Sequence, residues 1–319
     1  MADLLNLPNC GGSTGTFNSG FPLCDVIRAA PRALLLLDAG VGFDAADRAS
    51  VATLVTAIKT ATRAARGSRV YPIMSISNFD DTSTAATKAA IGNLSIQQIT
   101  MQEGVPSFDF QHRKGEMYHK QLAKAENSNL TLMIIDDAYV VYGTKTTDGL
   151  FTGFSLAEFK AQLAKFANAS TPSNYPFSVV LNDITEYKEN LAFVQLDSTV
   201  LGISGIIDTE LKLVSQATNV ANISATAAGG KSLGDNYSTE IANIDAWAAT
   251  NAQTGADITI TSVTYNSTSK YFVVTLDSTA FTALTAGDKV NIDLVDAAAL
   301  KALGVDGFES TGPVQAVKS

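Results

Sequence analysis

Basic residues are scarce in this chain. Its 319 residues include 22 lysines and arginines against 31 aspartates and glutamates, for a net charge of −9. A chain with this balance lacks the cationic footprint that phosphate recognition requires, which argues against tight nucleic-acid binding. It leaves open a surface past which DNA moves without adhering. Charge of either sign is thin, at 17% of residues against about 25% in an average globular protein. Ala, Thr, Ser and Asn take its place, so the surface is neutral, polar and suited to being covered by partners. Hydrophobic residues reach 46%, which excludes the low-hydrophobicity, high-charge composition of a disordered chain.

Metal-binding and nucleophilic side chains are equally sparse. There are two cysteines, Cys10 and Cys24, and two histidines, His112 and His119. The cysteine spacing fits no zinc motif, and two thiols cannot hold a metal by themselves. One disulfide around an N-terminal loop is possible, but two small buried hydrophobes is the favoured reading. The longest apolar run, Ala33 to Leu37, is far below the ~20 residues of a membrane-spanning helix. The opening MADLLNLPNCGG has no basic n-region, so no signal peptide is expected and synthesis is assigned to the cytosol. Asn-x-Ser/Thr triplets at Asn93, Asn129, Asn168, Asn222, Asn236 and Asn266 are what a Ser/Thr-rich chain produces by chance.

The length suggests two domains, or one with an appendage. Residues 1–32, rich in Gly, Pro, Ser and Asn, read as an extended arm, with Pro8, Pro22 and Pro31 blocking helix. Residues 33–200 read as a β-rich assembly core with two helices. Ala33–Asp38 is a buried strand. A helix follows from about Ala46 to Ala65, with Val51, Leu54, Val55 and Ile58 on one face. Val70–Ile76 is a strand that Pro72 places at an edge. Residues 77–93 are expected to be a long loop, and Leu94–Met101 and Ser107–His112 strands. Gly115–Asn127 is expected as a short helix, and Leu130–Ile135 with Tyr139–Tyr142 as a hairpin around Asp136–Asp137. Ser155–Ala167 is expected as the second clear helix, with a Ser155/Glu158 capping box and a buried stripe of Leu156, Phe159, Leu163 and Phe166. Phe177–Leu181 and Leu191–Leu196 read as a strand pair. Residues 201–254 read as a connecting segment, irregular to 234 with strand signals at Glu210–Val214 and Val220–Ala225, then helical over Asp235–Thr250. Residues 255–319 read as a small β-rich domain, with strands at Asp257–Ser262, Tyr271–Leu276 and Lys289–Leu294. A short helix is expected at Asp296–Leu303 and a trailing end after Gly304.

Motifs that carry chemistry are weak. Ala225–Ser232 (ATAAGGKS) matches the end of a phosphate-binding loop at Gly230, Lys231 and Ser232. Ala225 stands where the first glycine belongs, and the acid-ending strand Leu130–Asp137 precedes the loop rather than following it. A Gly–Gly turn before a helix is the favoured reading. His112, Arg113, Lys114, Glu116 and His119 cluster in sequence without a known ligand spacing, and read as a solvated or subunit-contacting turn. The run Gly202–Gly205 lacks the form of a nucleophile elbow, with no histidine downstream. Asp136, Asp137 and Asp148, like Asp80–Asp81, read as turn chemistry rather than a cation site. Trp247 and the tyrosines do not alternate with basic residues, so no stacking platform is suggested. No catalytic, cofactor-binding or metal-ligating residue is assigned, and no cofactor is expected.

The stretch Asn129–Asp197 runs NLTLMIIDDAYVVYGT, TDGLFTGFS and FSVVLNDITEYKENLAFVQLD. An apolar strand ends in Asp136–Asp137, a second in Gly143–Thr144, and Asp148–Gly149, Gly153–Phe154 and a Glu186-centred turn follow. This resembles structural proteins of tailed-bacteriophage virions, and looks most like tail tube subunits. The resemblance covers roughly a quarter of the chain. It implies an α+β fold with a β-barrel or sandwich core, packed helices and a C-terminal immunoglobulin-like domain. It also implies a non-enzymatic, homo-oligomeric protein of the virion. Such a protein forms stacked rings, hexamers among the symmetries open to it, around a lumen for viral genome ejection. Its partners would be copies of itself and other virion proteins, with DNA passing unbound and no membrane span. The long helix in the N-terminal third departs from a minimal tube fold, which keeps a head–tail connector, ring or capsid-associated protein open.

The residues agree with that reading independently. An acidic lumen repels DNA, charge is depleted at interface cores, and head-to-tail contacts close into rings or continue as filaments. A surface- or glycan-binding β-domain protein, and an enzyme built on the degraded phosphate loop, are the readings from other classes.

Overall fold

The computed structural model describes residues 3–5, 27–90, 98–126, 128–170 and 172–318. Cys10, Cys24 and most of the expected 1–32 arm lie outside them. The fold is mostly β-sheet with six helices among the described residues, an α+β protein. The chain divides into two compact units, residues 1–62 with 66–204, and residues 63–65 with 205–319.

The first unit holds β1 (Pro31–Asp38), α1 (Val51–Ala61), β2 (Val70–Met74), β3 (Ile76–Asp81), β4 (Thr87–Ala90), β5 (Gln98–Gln102) and β6 (Ser107–His112). It continues with α2 (Glu116–Ala123), β7 (Leu130–Asp136), β8 (Val140–Lys145), β9 (Phe151–Thr152), β10 (Phe154–Ala161), β11 (Tyr175–Leu181), α3 (Ile184–Lys188) and β12 (Leu191–Gln195). Ten of these strands form one sheet of order β12-β8-β7-β10-β11-β6-β3, with β1 beside β7, β2 beside β1 and β9 beside β8. The sheet curls into a half-barrel.

The unbroken apolar runs in β1 and β7 follow from burial on both faces. Side chains alternate along a strand, and here each set meets its own core. Leu35, Leu37, Met133 and Ile135 join α1 residues Leu54, Val55 and Ile58 on one side. Leu34, Leu36, Leu132 and Ile134 join Phe108, Phe110, Phe154 and Phe177 inside the curl. Ser50 caps α1 by accepting from the Thr53 N–H at 3.1 Å. Pro72 sits on β2, which among the described residues pairs only with β1, an edge position of the kind where proline is found.

Several expectations are corrected. Of the expected 77–93 loop, residues 77–90 are largely strand, β3 and β4, with β6 as the partner along Ile76–Asp81, and 91–93 lie outside the described residues. The Ser155–Ala167 helix is instead β10, paired to β7 and β11. Glu158 does not cap; the Ser155 N–H donates to Glu186 Oε2 at 2.7 Å. A bulge between Leu156 and Glu158 shifts the register. It lets Phe154 and Phe159, an odd number of residues apart, bury in the same core. Helix propensity is a weak preference, and the open edges of β7 and β11 override it. Phe177–Leu181 and Leu191–Leu196 are strands but do not pair with each other: β11 lies between β10 and β6, and β12 lies beside β8.

The second unit holds β13 (Ile207–Ala217), β14 (Val220–Ala227), β15 (Lys231–Ser232), α4 (Gly234–Ile241), β16 (Trp247–Asn251), β17 (Ile260–Asn266) and β18 (Tyr271–Leu276). It ends with α5 (Ser278–Thr282), β19 (Lys289–Leu294), α6 (Ala297–Ala302), β20 (Phe308–Ser310) and β21 (Val314–Val317). One sheet has the order β17-β18-β14-β13-β20, the other β16-β19-β21. Ile223, Phe272 and Val274 of the first share a core with Trp247, Val290 and Ile292 of the second. The segment expected to be irregular is therefore a long hairpin, β13–β14. Its turn, with Thr218 at φ +50°, contains no glycine to announce it. Strands from 201–254 and from 255–319 belong to the same sheet. The Asp235–Thr250 helix stops at Ile241, and Trp247–Asn251 pairs with β19 as a strand. The end after Gly304 is also structured: β20 pairs in parallel with β13, and β21 pairs with β19.

Candidate assembly surfaces

Two hairpins run past the body of the first sheet. The β3–β6 ladder continues through Thr82 N–H to Ser107 O and Thr84 N–H to Val105 O, each 3.0 Å. It passes into β4–β5, whose strands, among the described residues, pair only with each other. Gly104 permits the crossing, since a Cβ there would lie 2.3 Å from the Thr84 carbonyl oxygen. A two-stranded ribbon is marginal alone in water. The other hairpin is β10–β11, extended by Gln162 N–H to Pro176 O at 2.9 Å and by the Lys165–Asn174 bridge. Near its tip Leu163 is 90% and Phe166 96% exposed. These two were expected in the buried stripe of a helix; the strand carries them past the core. Two large apolar side chains on this tip are therefore open to water.

The hairpins leave opposite ends of the same strands. His112 pairs with Tyr175 and Ile76, and Ser107 with Val180. The β10–β11 tip lies beyond the His112 end and β4–β5 beyond the Ser107 end, roughly 17 Å of strand apart at 3.4 Å per residue.

At the base of the β10–β11 tip sit the two histidines. They were expected in a solvated or subunit-contacting turn. Instead His112 is fully buried and His119 nearly so. The Lys114 N–H donates to His112 Nδ1 at 3.3 Å, so the His112 proton sits on Nε2, facing His119 Nδ1 at 3.2 Å. His119 Nε2 then donates to the Gln162 carbonyl at 2.7 Å. Accepting the Lys114 bond at Nδ1 leaves the His112 ring neutral. Tyr175 stacks on His112 at 5.4 Å and Tyr118 meets it edge-on at 5.0 Å. Burial, then the adjacent His119 and Lys114, push His112 down to about 4.

Asp136 is a structural hub. Its Oδ1 accepts from Ala138 N–H and Val140 N–H, both at 2.9 Å; its Oδ2 accepts from Tyr142 Oη at 3.0 Å and Ala29 N–H at 3.2 Å. These bonds hold Tyr139 at φ +62° in the tight turn. Burial, with Asp136 beside it, pushes the Tyr142 phenol well above its ordinary value. Asp137 lies 3.8 Å from Arg32, Asp148 in a turn closed by Gly149, and Asp81 accepts from Ser83 N–H. Turn chemistry accounts for them, and among the described residues no group of three or more His, Cys, Asp or Glu could hold a metal.

The described ends of residues 1–32 are docked. Asp3 receives Arg48 Nε at 3.0 Å and Arg48 Nη2 at 2.9 Å, while the Arg48 guanidinium is 2% exposed. Arg28 lies 4.7 Å from the Tyr187 ring centre.

The phosphate-loop candidate is a hairpin turn. Ala225 is buried in β14, Gly229 and Gly230 take positive φ, and Lys231–Ser232 pair back on Thr226–Ala227. Its chain reverses into a strand and forms no phosphate cradle. Gly202 ends a 3-10 helix, Ser198–Gly202, and Trp247 is buried with its Nε1 donating to the Ile241 carbonyl. No helix among the described residues is long and apolar enough to cross a membrane. No family model matches the chain, and no curated protein matches it.

Proposed function

We propose that this chain is a non-enzymatic, self-assembling structural subunit of a tailed-bacteriophage virion, most like a tail tube protein. The observation that carries the reading is the pair of hairpins leaving opposite ends of one curled sheet, one tipped by exposed Leu163 and Phe166. A subunit of this form can engage a neighbour at each end, and a head-to-tail contact repeats without limit unless it closes. In this reading the first unit is the barrel-like assembly core. The second is an immunoglobulin-like sandwich, and the acidic chain surrounds a lumen through which DNA passes unbound. Synthesis is in the host cytoplasm and the final location is the virion.

Negative-stain electron microscopy of the purified chain, with light scattering for mass, tests this. Tubes or stacked rings are expected, and deletion of residues 1–32 should impair their growth. Discrete rings without stacking would favour a connector or other ring component. A chain that stays monomeric at high concentration, alone and with isolated particles as seeds, would overturn the reading.

A further inference from the structure

Charge is divided between the two ends of the first sheet. Beyond the His112 end, residues 113–126, 162–170 and 172–174 carry five cations and two acids. Beyond the Ser107 end, residues 81–90, 98–106 and 182–190 carry five acids and two cations. The chain as a whole is acidic, so a net positive end stands out against its background. Arg113, Lys114, Lys120 and Lys165 are exposed at one end, and Asp81, Asp183 and Glu189 at the other. The apolar tip with Leu163 and Phe166 belongs to the basic end, and the β4–β5 ribbon to the acidic end.

We infer that the basic, apolar-tipped end of the first unit docks on the acidic, ribbon-bearing end of a second copy of the same chain. The occupant is a second copy because the complementary charge lies on this chain, at the opposite end of the same strands. Opposite charge steers the two ends together and sets like ends apart, while burial of Leu163 and Phe166 supplies the apolar contact. The polarity makes the contact heterologous, so each docked copy presents a fresh end. The inference rests on the proposed assembly and names the surfaces that join.

Charge reversal tests it on the full chain. Arg113→Glu with Lys165→Glu makes both ends acidic; Asp81→Lys with Glu189→Lys makes both basic. All four side chains are exposed, and thermal unfolding of each variant controls for folding. Sedimentation at about 50 mM salt, within reach of unscreened charge, should show self-association of the native chain. Each variant alone should associate at least about tenfold more weakly, and an equimolar mixture of the two should recover the native affinity. Tubes that form equally well from either variant would overturn this docking and leave the tube reading intact. Charge-dependent pairs or short stacks that never become rings or tubes would support the docking and remove the tube reading. Failure of the mixture to recover association, or no association of the native chain, would overturn the docking.

Discussion

His112 Nε2 and His119 Nδ1 lie 3.2 Å apart, buried beneath the β10–β11 hairpin, with His119 passing the chain of bonds on to the Gln162 carbonyl. The groups facing His112 are Lys114, Tyr118, His119 and Tyr175, and none of them is an anion that would welcome a proton. His112 is held at about 4 in the folded chain, against about 6.5 unfolded. Between those values the unfolded chain binds the extra proton, so stability is full above about pH 6.5 and falls as pH drops towards 4. The loss should reach about 2–3 kcal/mol by pH 4. Urea unfolding at a series of pH values checks this. His112→Phe should be less stable at neutral pH, because His119 Nδ1 loses its donor, and should show a flatter slope over the same window.

Asp3 offers a second, separable acid dependence. Its carboxyl is held below the usual range, chiefly by its hydrogen bonds from Arg48. Its contribution is therefore present above the ordinary carboxylate value and lost as pH falls below it. Asp3→Asn should cost roughly 1–3 kcal/mol at pH 7, because a buried guanidinium loses its counter-charge. The histidine window above pH 4 should be unchanged in that variant.

Removing the carboxylate of Asp136 frees four donors, three backbone N–H groups and one phenol. Asp136→Ala should cost at least ~3 kcal/mol, and Tyr142→Phe roughly 1–2 kcal/mol. Chemical denaturation would measure both; an Asp136→Ala chain as stable as the native one would refute the hub.

Gly153 has no room for a side chain. A Cβ there would fall 2.5 Å from the Leu132 N and 2.8 Å from the Leu132 carbonyl carbon, both backbone. Gly153→Ala should displace β7 from β10 and cost ~3 kcal/mol or more. Gly40, with open space around its Cβ direction, differs: its φ of +86° limits Gly40→Ala to a penalty of about 1–2 kcal/mol.

Leu163→Ser with Phe166→Ser should leave stability within about 0.5 kcal/mol, as expected for exposed positions. The same double variant should weaken self-association. A large loss of stability in the purified monomer would return these side chains to a core.

Much of the first unit was legible because its signals are local. The runs ALLLLD and LTLMIID read as buried strands, and the three-four spacing of Leu54, Val55 and Ile58 as a helix face. The Asp136–Asp137 turn read as a hairpin. The exposed β10–β11 tip was not legible, because Leu156, Phe159, Leu163 and Phe166 have helical spacing while their real surroundings are strand neighbours. The histidine pair was hidden for a related reason: it joins a strand end to a helix face, and only packing shows that the two rings meet.

By itself the sequence determined the acidic, charge-poor composition, the strands with apolar faces, the helix α1 and the turns carried by Asp and Gly. These depend on side-chain spacing and on bonds a few residues long. Tertiary structure alone decided that Ser155–Ala161 extends, because the open edges of β7 and β11 satisfy its backbone better than a lone helix would. It also decided that Leu163 and Phe166 face water, that His112 and His119 are buried together, and that charge of opposite sign gathers at the two ends of one sheet. Each of those outcomes turns on long-range pairing, where the partner of a residue lies tens of positions away and local pattern carries no record of it.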